Sequence, residues 1–430
     1  MVKFDENNNV IVDESFFAII VGVEKSNDKS GDIEYSVSEL KGLVEAAGGE
    51  TIGIMTQRLE RPNTATYIGS GKVGELAEMA DNMEADTIIF NNELSGMQIR
   101  NLEDITGKKV IDRTILILDI FARRAISKEG KLQVELAQLK YRLPRLTGFG
   151  KSLSRLGGGV GTRGPGEKKI ELDRRHIERR LQDIRNELNE IDRTRKLQRE
   201  SRENREIPIV ALVGYTNVGK SAIMNHILCK FEKDDKNVVE KDMLFATLDA
   251  KHRGIELDKQ HKFVLVDTVG FVSRLPHSLV SAFKSTLEEA AFSDLIINVV
   301  DYSNKDNEFQ QEITKDVLAD IGASDIPMIT VYNKVDLADN KNSLSHDENI
   351  VFTSAKTGEN MDLLLETIKK KIFDIPITAN FIIPYDKGSV SSEICRVGNV
   401  ISMEYKDDGV HIAAELKEKD FGRVKNYAII

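Results

Sequence analysis

Over the first 130 positions, short apolar runs alternate with longer stretches in which apolar residues recur at helical spacing. After a polar leader at 1–15, Phe16 to Val23 is an apolar run of strand length. Val37 to Ala47 has the spacing of a helix that Gly48-Gly49 should stop. Thr51 to Leu59 reads as a second strand, Lys72 to Met83 as a helix and Thr87 to Phe90 as a third strand. Ser95 to Ile105 is another helix, and Val110 to Ile120 is strongly apolar. Strands alternating with helices in this way predict parallel βα units, since a parallel neighbour needs a crossover connection. Tyr67-Ile68-Gly69-Ser70-Gly71-Lys72 is a glycine-bearing turn ahead of a helix. It reads as a structural turn or as an anion cradle, and two glycines alone favour the turn.

The pattern then changes. Lys128 to Arg142 is an amphipathic helix that Pro144 should close. Tyr141 to Gly166 carries Gly148, Gly150, Gly157, Gly158, Gly159, Gly161, Gly164 and Gly166, together with Arg142, Arg145, Lys151, Arg155 and Arg163, and no acidic residue. Such a segment cannot bury a core. Two readings stand: a flexible linker, or a basic arm that orders on phosphate-rich RNA. Single-sign charge is more than a linker requires. From Glu167 to Glu206, Leu172, Ile177, Leu181, Ile184, Leu188 and Ile191 fall mostly at three- and four-residue steps among alternating charges. They predict a long helix or helical hairpin with an apolar seam.

Beyond Pro208, strand-like runs return at Ile209–Val213, Phe263–Val266 and Ile326–Tyr332. Past Ile375, Phe381 to Pro384, Val400 to Met403 and Val410 to Leu416 are further strands, with Asp407-Asp408-Gly409 as a turn. The expected fold class is therefore α/β with four parts. These are an N-terminal parallel-sheet domain (1–130), a long helical subdomain with the basic glycine-rich loop (131–206), a doubly wound P-loop domain (207–374) and a small C-terminal α/β domain (375–430).

A chain of 430 residues, 40% hydrophobic and 30% charged, has the length for several buried cores. Its net charge of −10 argues against whole-molecule attraction to nucleic acid, so RNA contact must come from a local basic patch. Cys229 and Cys395 have no paired-motif spacing, which suits a reducing compartment. Met1 to Asp13 is polar and acidic rather than a secretory signal, and no apolar run approaches the ~18 residues of a membrane span. The expectation is a cytoplasmic monomer with no integral membrane segment; peripheral membrane association stays open.

The chemistry centres on Gly214-Tyr215-Thr216-Asn217-Val218-Gly219-Lys220-Ser221, a G-x-x-x-x-G-K-[ST] loop between a strand-like run and helical sequence from Ala222 to Leu228. The glycines let backbone N–H groups approach phosphates, and the helix start adds unpaired donors and a positive dipole end. Lys220 is placed to reach the β- and γ-phosphates and Ser221 to ligate Mg²⁺. Asn333-Lys334-Val335-Asp336 selects the base: guanine offers N1–H and an exocyclic amine on one edge, both of which Asp336 can accept, and adenine offers no match. Asn333 would brace the loop, the Lys334 stem would cover the purine, and Thr353-Ser354-Ala355-Lys356 would bring a backbone N–H to guanine O6. GTP and GDP, not ATP, are the expected nucleotides.

Between these motifs lie two switch candidates. Asp267-Thr268-Val269-Gly270 follows a strand and matches D-x-x-G, with Asp267 holding Mg²⁺ through water and the Gly270 N–H meeting the γ-phosphate. In Phe245-Ala246-Thr247-Leu248-Asp249, Thr247 would ligate Mg²⁺ only while the γ-phosphate is present. Lys220, Thr247 and Gly270 are thus the residues expected to act on the transferred phosphate. After Gly270, where Ras-type enzymes place a water-orienting glutamine, stands Phe271. A phenyl ring cannot orient water, so intrinsic hydrolysis should be slow.

The chain resembles the HflX family of translation-factor-class GTPases over nearly its full length. The resemblance rests on Thr66-Tyr67-Ile68-Gly69-Ser70-Gly71-Lys72, Phe90-Asn91-Asn92-Glu93-Leu94, Val110-Ile111-Asp112-Arg113-Thr114 and Leu132-Gln133-Val134-Glu135-Leu136-Ala137-Gln138-Leu139. Gly164-Pro165-Gly166-Glu167, Asp173-Arg174-Arg175 and both switch phrases add to it. It implies binding to the large ribosomal subunit and the 70S ribosome, ribosome splitting or rescue, and a basic loop that probes ribosomal RNA near the catalytic centre. Lys168-Lys169 stands where the family usually has Thr-Gln, and Ala222 where it has threonine. In related GTPases a side-chain oxygen at the place of Asn217 helps hold a monovalent cation, which makes K⁺ a candidate cofactor beside a plain loop brace. Two rival readings are a GTP-dependent RNA modification or assembly factor, and a binding protein whose GTP is a signal with negligible turnover. No Cys-His pair of metal spacing and no methyl-donor or flavin motif supports the modification reading.

Overall fold

The computed structural model describes residues 3–4, 10–11, 16–25, 32–146, 165–203, 207–231, 251–258, 261–273, 287, 289–338, 347–373, 377–416 and 418–429. Strands β1 (Lys3–Phe4) and β2 (Val10–Ile11) form a short antiparallel pair. The first domain is a parallel sheet in the order β4-β3-β5-β6, built from β3 (Phe16–Lys25), β4 (Gly49–Leu59), β5 (Thr87–Phe90) and β6 (Lys109–Asp112). Ala18 and Ile20 of β3 face one core with helices α1 (Asp32–Ala46) and α4 (Arg113–Arg124). Ile19, Val21 and Val23 face the other, with α2 (Ser70–Asn82) and α3 (Gly96–Thr106). Both faces of the strand are covered, which is why it reads as an unbroken apolar run rather than an alternating one.

The 67–72 turn is held by its own hydrogen bonds. Gly69, the N-cap of α2, donates its N–H to Gln57 at 3.1 Å, and Thr66 Oγ1 donates to the Ile68 carbonyl. Helix α5 (Lys128–Leu146) corrects one expectation: it runs through Pro144 instead of closing before it. Proline removes one helical donor, and here that loss falls in the last turn, where Arg145 donates to the Leu94 carbonyl at 2.8 and 3.0 Å and pins the helix end. Arg145 is thereby a packing residue and not part of a mobile basic arm. The described part of the 167–206 stretch is one helix, α6 (Pro165–Glu203), whose hairpin partner is α5. Leu181 and Ile184 bury against Leu132 and Leu136, with Ile177, Leu188 and Ile191 alongside, and Arg180 grips Glu135 through two 2.7 Å bonds. Leu172 stays half exposed, so the seam begins after it.

The nucleotide domain carries a six-stranded sheet in the order β12-β11-β10-β7-β9-β8. Its strands are β7 (Ile209–Gly214), β8 (Lys251–Glu256), β9 (Lys262–Asp267), β10 (Leu295–Asp301), β11 (Met328–Asn333) and β12 (Ile350–Phe352). All pairs are parallel except β8 with β9. The ends of β7, β9, β11 and β12 therefore lie along one edge, where ligands of open α/β sheets bind. Helices α7 (Lys220–Phe231), α8 (Asn307–Asp320) and α9 (Met361–Ile372) flank it. The last part is an antiparallel sheet, β14-β15-β13-β16, of β13 (Ile377–Ile383), β14 (Asn399–Lys406), β15 (Gly409–Leu416) and β16 (Ala428–Ile429). Helices α10 (Gly388–Val397) and α11 (Glu418–Val424) cover its core of Phe381, Ile394, Ile412 and Val424.

Candidate nucleotide-binding site

Two glycines of the 214–221 loop are required by close approach. Gly214 (φ 141°) lies so near the Val299 carbonyl that a Cβ would sit 2.2 Å from its oxygen, and Gly219 (φ 96°) is equally pressed against Asn333 Nδ2. Asn217 is exposed in a left-handed conformation (φ 62°), which asparagine tolerates better than most residues. Lys220 opens α7 and is buried, its Nζ donating to the Gly214 carbonyl at 3.1 Å and the Tyr215 carbonyl at 2.7 Å. Burial holds its ammonium down to about 8, against an upward pull from Asp267. Phosphate oxygens in this cradle would supply the counter-charge that the free loop lacks.

Ser221, in the first turn of α7, and Asp267, at the end of β9, come together. Ser221 Oγ donates to Asp267 Oδ2 at 2.7 Å, placing a hydroxyl and a carboxylate side by side, the hard oxygen donors that Mg²⁺ selects. Gly270 fits for a steric reason: a Cβ there would meet Lys220 Nζ and Thr216 Cα at 2.8 Å. Thr216 Oγ1 is buried with no hydrogen-bond partner, while Thr268 donates to the Leu212 carbonyl and serves the sheet. Val218 and Val269 are core residues.

At the base end, Asn333 Nδ2 donates to the Val218 carbonyl at 2.9 Å, and its Oδ1 accepts the Ala355 N–H at 3.0 Å. One side chain thus ties the phosphate loop to the 353–356 loop. Ser354 Oγ donates to Asp336 Oδ1 at 2.6 Å and orients that carboxylate. Lys334 takes a left-handed conformation (φ 64°), and its Nζ pairs with Asp301 at 2.8 Å. Val335 is buried and Lys356 exposed. Sequence reasoning missed Asp301; its signal was its place at the end of β10, in register with Asn333. Phe245, Ala246, Thr247, Leu248 and Asp249 lie outside the described residues, as do Lys151, Arg155 and Arg163.

Relatives settle the class. A protein named GTPase HflX from Caldanaerobacter subterraneus subsp. tengcongensis is 45% identical over 96% of this chain and 94% of its own length. The chain belongs to the HflX family of GTPases. GTPase HflX of Escherichia coli (strain K12) is 37% identical over 91% of each chain. Family models described as GTP-binding GTPase N-terminal, GTP-binding GTPase Middle Region and 50S ribosome-binding GTPase match residues 34–122, 124–202 and 209–334. A GTP-binding protein from the hyperthermophilic archaeon Sulfolobus solfataricus, solved in complex with GDP, aligns over 83% of this chain and 98% of that chain at 26% identity and a TM-score of 0.45.

In this HflX GTPase the residue after D-x-x-G is turned inward. Phe271 is 1% exposed within the main core, and its backbone pairs with the phosphate loop: its N–H meets the Gly214 carbonyl and its carbonyl takes the Thr216 N–H at 2.7 Å. The ring is a packing element. A cavity of about 270 Å³, lined by Glu39, Tyr215, Asn217, Asp301 and Gln310 among others, lies beside the contact between α1 and the phosphate loop.

Proposed function

We propose that this HflX-family GTPase binds GTP and GDP with Mg²⁺ on the 214–221 loop, with Ser221, Asp267 and Thr247 serving the metal. Asn333, Asp336 and the 354–356 loop read guanine. It associates with the large ribosomal subunit, splits or rescues 70S ribosomes, and hydrolyses GTP fast only when the ribosome completes the site. The observation that carries this reading is the burial of Phe271 near Lys220 and the Ser221–Asp267 pair: these side chains suit phosphate and metal, and a buried phenyl ring cannot orient water. The basic 147–164 segment supplies the RNA contact that a chain of net charge −10 otherwise lacks. The four-part division at 130, 206 and 374, a cytoplasmic location and a monomeric state belong to the same proposal; among the described residues no helix is long and apolar enough to cross a membrane.

Sucrose-gradient profiles of 70S particles incubated with the protein and GTP test the splitting step. The expected result is a shift to free subunits; unchanged 70S peaks with bound protein would restrict the function to ribosome binding. Turnover in potassium against sodium tests K⁺ at Asn217, and equal rates remove the cation alone.

A further inference from the structure

The phrase Val110-Ile111-Asp112-Arg113-Thr114 has no part in the nucleotide site as described so far, yet Asp112 is 0% and Arg113 2% exposed. These neighbours serve two different regions. Asp112, the N-cap of α4, accepts the Leu94 and Ile115 N–H groups at 3.0 Å each, and also the Tyr141 hydroxyl, with the Arg145 guanidinium 3.7 Å away. Arg145 in turn lies 3.3 Å above the Tyr141 ring. Asp112 therefore holds the last turn of α5, the root from which the basic 147–164 segment departs.

Arg113 reaches the other way. Its guanidinium donates to Glu39 of α1, to Asn91 Oδ1 at 3.2 Å, and to the carbonyl and hydroxyl of Ser273 at 3.0 and 3.3 Å. Glu39 also accepts from the Tyr215 and Ser273 hydroxyls, and the Ser273 N–H donates to the Tyr215 hydroxyl. Tyr215 is the second residue of the phosphate loop, and Ser273 follows Gly270 by three positions. Burial, with the Glu39 charge next, pushes the Tyr215 phenol far up, so its hydroxyl stays a donor. A buried charge pair is a poor source of stability, because desolvation offsets most of its attraction. Its geometry has another consequence. A single peptide, ~3.8 Å between Cα atoms, joins the residue that holds the α5 root to Arg113, which bonds to Ser273 and, through Glu39, to Tyr215.

We propose that Asp112 and Arg113 form a positioning relay, through which the state of the basic loop's root and the nucleotide state of the 214–221 and 267–273 segments are linked. The relay itself needs no ribosome; its use in coupling RNA contact to GTP rests on the proposed function. The chain has no tryptophan, so Leu146→Trp gives a single reporter at the α5 end of the full-length protein. Its emission should differ between GDP and a non-hydrolysable GTP analogue, and that difference should vanish in Glu39→Gln and shrink in Tyr141→Phe. If Glu39→Gln does not fold, Asp112→Asn takes its place. Identical emission with both nucleotides, or a difference that survives Glu39→Gln or its Asp112→Asn replacement, overturns the relay.

A second measurement separates the two ideas. Large subunits should tighten the GTP analogue by about 5–150-fold, the usual range for coupled sites. Tyr141→Phe and Glu39→Gln should reduce that factor non-additively while adding independently in thermal stability; simple structural damage at two separated sites adds in both. A nucleotide-dependent reporter without any large-subunit effect supports the relay and overturns the ribosomal reading. A large-subunit effect untouched by the variants does the reverse.

Discussion

The two ends of the nucleotide site are built on different principles. The base end closes on itself: Asn333, Ser354, Ala355 and Asp336 bond to one another and to Val218, all within one domain. The phosphate end is shared, because Tyr215 and Ser273 are held by Glu39 and Arg113 of the first domain. Base choice should therefore be local and insensitive to the rest of the molecule, whereas the rate of hydrolysis should depend on what the other domains touch.

The largest effect expected at the shared end is on stability. Phe271→Ala removes a fully buried ring and should cost about 3–5 kcal/mol, read by denaturant unfolding. It should leave most of the ribosome-stimulated turnover, since the ring does not reach water; loss of stimulation in folded protein would make Phe271 more than packing. At the closed end, Asp336→Asn should weaken GTP by about 3 kcal/mol, on the scale of two charge-assisted hydrogen bonds, and favour xanthosine nucleotides. Competition binding checks this, and retained guanine affinity would remove Asp336 from base reading.

Neutralising Lys151, Arg155 and Arg163 should weaken ribosome binding and lower its log–log salt slope by about 0.7–0.9 per lost phosphate contact. GTP affinity of the free protein should not change. An unchanged slope returns the segment to the linker reading.

A smaller effect follows from Lys220, whose ammonium titrates at about 8 in the free protein. Nucleotide phosphates favour the charged form, so binding takes up a proton above that pH. GTP affinity should be flat below pH 8 and fall by up to about tenfold per unit above it. Stability of the free protein moves oppositely, rising from pH 8 towards about 10.4, because the unfolded lysine binds more protons in that window. Calorimetry in buffers of different ionisation enthalpy reads the proton directly.

What the sequence made legible divides along the same line. The 214–221 loop, D-x-x-G and N-K-V-D are contiguous, and β5 falls at Thr87–Phe90 as its pattern predicts, because each signal is local. Helix α1 starts at Asp32, five residues before its apolar spacing becomes regular, since a polar first turn carries no such signal. The Pro144 stop failed because tertiary bonds from Arg145 hold the turn that proline weakens. Glu39, Arg113 and Ser273 were invisible as a unit: Glu39 lies 74 positions from Arg113 and 234 from Ser273, and on α1 it reads as an ordinary surface acid.

Single-turnover GTP hydrolysis by the full-length protein, with and without large ribosomal subunits, tests the shared phosphate end most directly. The expected result is slow turnover alone and acceleration on the order of 10³-fold or more with subunits, the scale at which an arginine finger acts. Fast hydrolysis by the free protein, with no further gain from subunits, would contradict it.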